Sequence, residues 1–179
     1  MIVDGWLIYT ENITFDSFKN LFRAYNKISF GDNFNRSIDD IIFPDNIEFL
    51  YFGASFNQRV DNLPAKLRIL SLGCSFNQEL DNLPLYLEEL RILGNYDKCL
   101  DLLPRSLKKL SLGNKYNHPL DNLPEGLEEL HFIYERNRFN YSLNLLPLSL
   151  RRITIDVDYK YKNDLIKKYG DKVKVIKYP

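Results

Sequence analysis

The chain has 179 residues, 45% of them hydrophobic and 14% aromatic, enough for one domain with a continuous core. Its 24 basic and 24 acidic residues cancel, so no net field steers it to nucleic acid or to a membrane surface. Two cysteines, Cys74 and Cys99, without CxxC spacing are too few for a disulfide scaffold and point to a reducing, cytoplasmic compartment.

Residues 1–27 are expected to form an N-terminal cap of strand and helix. The opening MIVDGWLIYTENITF carries Asp4 and Glu11 and no long apolar run, so neither a signal peptide nor a membrane span is expected. The sequons at Asn12, Asn35 and Asn140 then read as chance matches in an Asn-rich chain. From Thr14 to Tyr25, helical spacing puts Phe15, Phe18, Leu21, Phe22 and Tyr25 on one face, which could close the first coil of a repeat array.

Residues 28–155 are such a repeat. Prolines fall at Pro44, Pro64, Pro84, Pro104, Pro124 and Pro147, spaced 20, 20, 20, 20 and 23 residues apart. The unit is plainest in AKLRILSLGCSFNQELDNLP, Ala65 to Pro84, and the unit from Glu125 to Pro147 carries three extra residues. Each column has a physical reading. Leu67, Leu70, Leu72 and their equivalents end in an alternating stretch, the period of a short strand with one buried face. Gly31, Gly53, Gly73 and Gly113 follow, where the chain must leave the strand and turn. The next column is aromatic: Phe34, Phe56, Phe76, Tyr96, Tyr116 and Phe139, expected to stack one per coil in the interior. An Asn or Asp follows each, suited to hydrogen-bonding the backbone of the turn or of the next coil. The D-x-L-P segment returns the chain on the convex side. Its acids Asp61, Asp81, Asp101 and Asp121 are read as caps of their own turns rather than as calcium ligands. A 20-residue unit cannot bury its own apolar face, so stacking is obligatory.

Residues 156–179 are expected to form the C-terminal cap. After a last repeat strand near Arg152 to Asp156, Leu165, Ile166 and Tyr169 predict a short helix ending at Gly170, and Val173 and Val175 a final strand. From Arg151 onward there are nine Lys or Arg against four Asp. The fold class is therefore an α/β repeat solenoid, leucine-rich-repeat-like, with a parallel β-ribbon on the concave face and short caps at both ends.

The pattern LP-x-x-L-x-x-L-x-L-G-x-x-FNQ-x-L-x-x-LP resembles the FNIP repeat, a leucine-rich-repeat relative of social amoebae and of giant DNA viruses of amoebae. Phe56-Asn57-Gln58 and Phe76-Asn77-Gln78 match it best, and Tyr96-Asp97 and Tyr116-Asn117-His118 more loosely. The resemblance runs from about Ile28 to Ile155. It implies a protein-interaction role, in host-cell cytoplasm if the source is viral, and supplies no catalytic residues. Some members carry an F-box ahead of the repeats. About 27 residues precede the first repeat here, too few for one, so a ligase-adaptor role is not expected.

Catalysis is not expected from the residues either. Only His118 and His131 could act as bases at neutral pH, and they occupy different repeat columns. No nucleophile-elbow, zinc-protease, P-loop or dinucleotide motif appears, and Cys74 and Cys99 should not meet. No cofactor and no metal is expected. The positions that remain outward and variable are Phe49, Tyr51, Ile69, Ser71, Arg91, Ser111, His131 and Thr154, the expected contact residues for a protein or peptide. The alternating column Glu48, Arg68, Glu88, Lys108, Glu128, Arg151, with Glu89, Lys109, Glu129, Arg152 beside it, is read as register control between strands. Two weaker readings stand beside binding on the concave face: assembly through the solenoid's edges or caps, and polyanion attachment by the basic C-terminal cap.

Overall fold

A computed structural model describes residues 2–10, 14–133 and 138–177. Ten strands make one sheet in strict chain order. An N-terminal hairpin, β1 (Ile2–Val3) and β2 (Trp6–Ile8), is antiparallel, and every later pairing is parallel. The repeat strands follow as β3 (Lys27–Phe30), β4 (Phe49–Phe52), β5 (Ile69–Leu72), β6 (Glu89–Ile92), β7 (Lys109–Leu112), β8 (Glu129–Phe132) and β9 (Arg152–Asp156). Their register is the repeat itself. Leu50, Leu70, Leu90, Leu110, Leu130 and Ile153 are successive partners, one per coil.

The predicted helix over Thr14–Tyr25 is shorter and broken. Thr14 caps α1 (Phe15–Lys19) by accepting from the Ser17 amide at 3.2 Å, and a 3₁₀ turn occupies Phe22–Ala24. Phe18 and Phe22 are buried as the spacing predicts, while Leu21 is exposed. The Phe15 side chain lies outside the described residues, as does the Asn12 sequon. Asn46 donates to the carbonyls of Phe22 (3.2 Å) and Tyr25 (2.7 Å), fastening this cap to the next coil. At the other end α2 (Lys162–Tyr169) stops at Gly170, whose φ of 56° lies in the region open to glycine. The chain then adds β10 (Val173–Ile176) parallel to β9. Leu165 is buried, whereas Ile166 and Val175 are exposed.

The aromatic column is a stacked spine. Successive ring centroids from Phe34 through Phe56, Phe76, Tyr96 and Tyr116 to Phe139 lie 5.9–6.3 Å apart with planes within 15° of parallel. Beside it runs a hydrogen-bond ladder. The amides of Asn57, Asn77 and Asp97 donate to the side-chain oxygens of Asn35, Asn57 and Asn77, each at 2.9 Å. Asn140 donates to Asn117 in the same way across the three-residue insertion. Each amide thus satisfies one polar group of the coil before it, and the coils cannot slide without losing every rung together.

Two readings of repeat columns change. Asp61 and Asp101 reach across coils and not only within their own turns: they accept from Asn82 (3.1 Å) and Asn122 (3.0 Å) of the following coil. Gly53 and Gly73 do not have left-handed backbones. They are glycines because a Cβ on Gly53 would sit 2.3 Å from the Gly31 carbonyl oxygen, and one on Gly73 2.1 Å from that of Gly53. Close approach of one coil to the next, not the turn, demands them.

Candidate functional site

The open face of the sheet carries a shallow groove of about 810 Å³. Two columns of strand residues line it, because alternate side chains of a strand share a face. One runs Lys27, Phe49, Ile69, Glu89, Lys109, Glu129, Arg152, and the other Ser29, Tyr51, Ser71, Arg91, Ser111, His131, Thr154, the lining itself reaching as far as Glu129 and His131. The eight expected contact residues all belong to these columns. They are not equally exposed. Ser71, Ser111 and Thr154 stand on the outward columns but are only 8%, 9% and 5% exposed, so they offer a partner little surface. The second column alternates short and long side chains, so Tyr51, Arg91 and His131 cover the small residues between them. Phe49, Tyr51, Ile69 and His131 are half-buried, and Arg91 is exposed.

The groove divides into two halves. Its N-terminal half is apolar and extends beyond the repeats: β2 brings Trp6 and Ile8 onto the same face, and the Trp6 ring meets Phe49 edge-on at 6.3 Å. Leu93 and Ile133 also line the groove. Both stand in the glycine column, and an apolar residue in place of glycine was the signal that could have found them. Trp6 and Ile8 were findable from the alternation of Trp6-Leu7-Ile8, in which Leu7 alone is buried.

The C-terminal half is charged and already paired. Glu129 is its hub, taking Lys109 and Arg152 at 3.5 Å each and His131 Nε2 at 3.0 Å. The hydrogen bond to His131, with the two cations, holds the Glu129 carboxyl below the usual carboxylate range. His131 Nδ1 meets Thr154 Oγ1 at 2.8 Å, so both ring nitrogens are engaged. Arg91 pairs with Glu89 at 2.5 Å on its own strand.

The outer charge column forms ion pairs between coils. Arg68 makes a two-pronged bridge to Glu88 (2.7 and 3.1 Å), Lys108 reaches Glu128 at 3.9 Å, and Arg151 reaches Glu128 at 3.4 Å. These pairs are well exposed, so each contributes little. Lys108→Glu, setting a carboxylate against Glu128, is expected to lower unfolding stability by less than about 1 kcal/mol. Adding Glu128→Lys should recover part of that loss in a double-mutant cycle, and strict additivity would remove the pairing from the account.

In the basic C-terminal cap several lysines are engaged. Lys168 donates to the Asn144 carbonyl at 2.6 Å and Lys162 to that of Val157 at 2.5 Å, while Lys160 lies over the Tyr161 ring. Among the described residues no helix is long and apolar enough to cross a membrane.

The FNIP Repeat family model matches the chain at residues 26–55, 34–75, 76–115 and 96–135, more than half its length. Among solved structures the chain is similar to CroV588, a giant-virus protein whose crystal structure is described as a novel circular LRR protein structure. The two are 34% identical with a TM-score of 0.64, over 73% of this chain and 20% of that one. This chain therefore spans about a fifth of that protein's length. No curated protein matches it.

Proposed function

This chain belongs to the FNIP-repeat family, and from that premise we propose that it is a protein- or peptide-binding module whose contact surface is the concave strand face. The observation that carries the reading is the division of the groove. A rigid apolar floor of Trp6, Phe49 and Ile69, with Tyr51 beside it, adjoins a wall whose charges are already matched to one another. Burying the apolar half gains roughly 25 cal/mol per Å² removed from water. The paired half offers orientation at its rim more than affinity. Nine parallel strands about 4.8 Å apart give a ribbon roughly 38 Å long, enough for an extended segment of about ten residues. Binding, not catalysis, is what such a face is built for.

The test is affinity capture from cell extract followed by substitution. Tyr51→Ala is expected to weaken binding of the captured partner by at least about 1 kcal/mol, the level of an interface residue that matters, with thermal unfolding unchanged. Arg91→Ala should weaken it less, since Arg91 first has to leave Glu89. Undiminished affinity in both variants would place the contact surface elsewhere. Capture of the chain by itself alone would point instead to assembly through the edge strands β1 and β10.

A further inference from the structure

One coil-to-coil contact on the turn surface has no counterpart among the described residues of the repeat. Cys99 Sγ lies 3.7 Å from His118 Nδ1, and His118 Nε2 lies 2.9 Å from Asp97 Oδ1. Three columns depart from the repeat together to make it: Asp97 replaces Asn57 and Asn77, His118 replaces Gln58 and Gln78, and Cys99 stands where Arg59 and Glu79 stand. Part of this is ladder chemistry. Gln78 Nε2 donates to Asn57 Oδ1 at 3.0 Å, and His118 Nε2 reaches Asp97 in the same way. The thiol on the far nitrogen is what the ladder does not supply.

An imidazole that donates from Nε2 to the Asp97 carboxylate keeps Nδ1 as an acceptor, aimed at the Cys99 thiol. Because the two nitrogens serve two different partners, the three groups do not converge on one point. Among the described residues no such group is placed to hold a metal ion. The imidazole is steadied by the Tyr116 ring, 5.9 Å away.

The aromatic spine departs from the repeat in the same two coils. Tyr96 and Tyr116 are 1% and 0% exposed, and their hydroxyls have no hydrogen-bond partner. The spine uses Phe at Phe34, Phe56, Phe76 and Phe139, and Tyr only in the two coils that carry Cys99 and His118. Buried donors without partners are costly in a core that phenylalanine fills equally well. Lys98, the chain neighbour of Cys99, pairs with Glu79 at 3.3 Å.

We propose that Cys99, with His118 as its base and Asp97 orienting that base, is a thiol-modification site that exchanges with low-molecular-weight disulfides of the glutathione type. The Cys99 proton passes to His118 Nδ1, and the thiolate attacks one sulfur of the disulfide. A new S–S bond forms at Cys99 as the old one breaks, and the departing thiolate takes the proton from the imidazolium. Cys99 is exposed, so a small disulfide can reach it, and Cys74, also exposed and free, is the internal standard.

The experiment is timed reaction of the whole chain with oxidised glutathione at pH 7, with both cysteines followed by mass spectrometry. The mixed disulfide at Cys99 is expected to form about tenfold or more faster than at Cys74. His118→Gln restores the repeat's own residue, which makes the same ladder contact in two other coils, so the fold is kept and thermal unfolding verifies it. That variant should bring Cys99 down to the rate of Cys74. Its rate should then rise about tenfold per pH unit below the ordinary thiol range near 8.5, while the wild type shows a shallower rise. Equal rates at the two cysteines, or a Cys99 rate untouched by His118→Gln, would overturn the proposal.

Discussion

Phe76→Ala is expected to destabilise the fold by about 3–5 kcal/mol, the usual cost of truncating a core aromatic. Phe76 is fully buried and stacks at 6.2 Å on Phe56 and 6.0 Å on Tyr96. Removing its ring leaves a gap in the middle of the spine. Collapse is the only way to lessen the loss, and the neighbouring coils are poorly placed for it. Their spacing is set on one side by the parallel strands and on the other by the ladder of Asn57, Asn77 and Asp97. The cost should therefore fall in the upper part of that range. Denaturant unfolding monitored by circular dichroism checks it. A loss below about 1 kcal/mol, typical of surface positions, would place the aromatic column outside the energetic core.

Gly73→Ala should cost at least about 3 kcal/mol, at or beyond the usual range for overpacking. The added methyl would meet only main chain: the Gly53 carbonyl oxygen at 2.1 Å, its carbon at 2.5 Å and the Ala54 amide nitrogen at 2.9 Å. A side chain could rotate away, but this backbone is held by the strand pairing of β4 with β5. Relief requires the two coils to part, which loosens the Phe56–Phe76 stack and the Asn57–Asn77 rung together. Gly126→Ala is the matched control. Its methyl finds nothing nearer than 3.4 Å, so a change within about 0.5 kcal/mol is expected. Equal effects at the two glycines would show that the coils separate freely and that close approach is not what the glycine column protects.

Much of this architecture was legible in the residues because the repeat states its geometry once per coil. The register of β3 to β9, the buried leucines and the aromatic spine follow from a 20-residue period and a two-residue alternation. So does the alternation of charge at Arg68, Glu88, Lys108 and Glu128. The candidate site was legible in part. Its two columns can be picked out from the period, but the period treats all eight residues as equally outward, and Ser71, Ser111 and Thr154 proved covered. Exposure depends on the length of the neighbours' side chains, which a single repeat unit does not contain. Trp6 and Ile8 escaped the repeat reading because β2 lies outside the repeat and joins the groove only by pairing with β3.

The sequence by itself determined which residues face inward, how far apart equivalent residues stand and in what order the strands lie, because periodicity is a one-dimensional property. Only the tertiary structure decided what adjacent coils do to one another. It made glycine at Gly53 and Gly73 a matter of backbone contact. It tied Asp61 to Asn82 across a coil boundary and not only within a turn. It also brought Cys99, nineteen residues before His118, against that imidazole. Stacking a 20-residue coil places position i beside i+20 and its neighbours, so contacts between unlike columns depend on side-chain length and tilt, which the period does not encode.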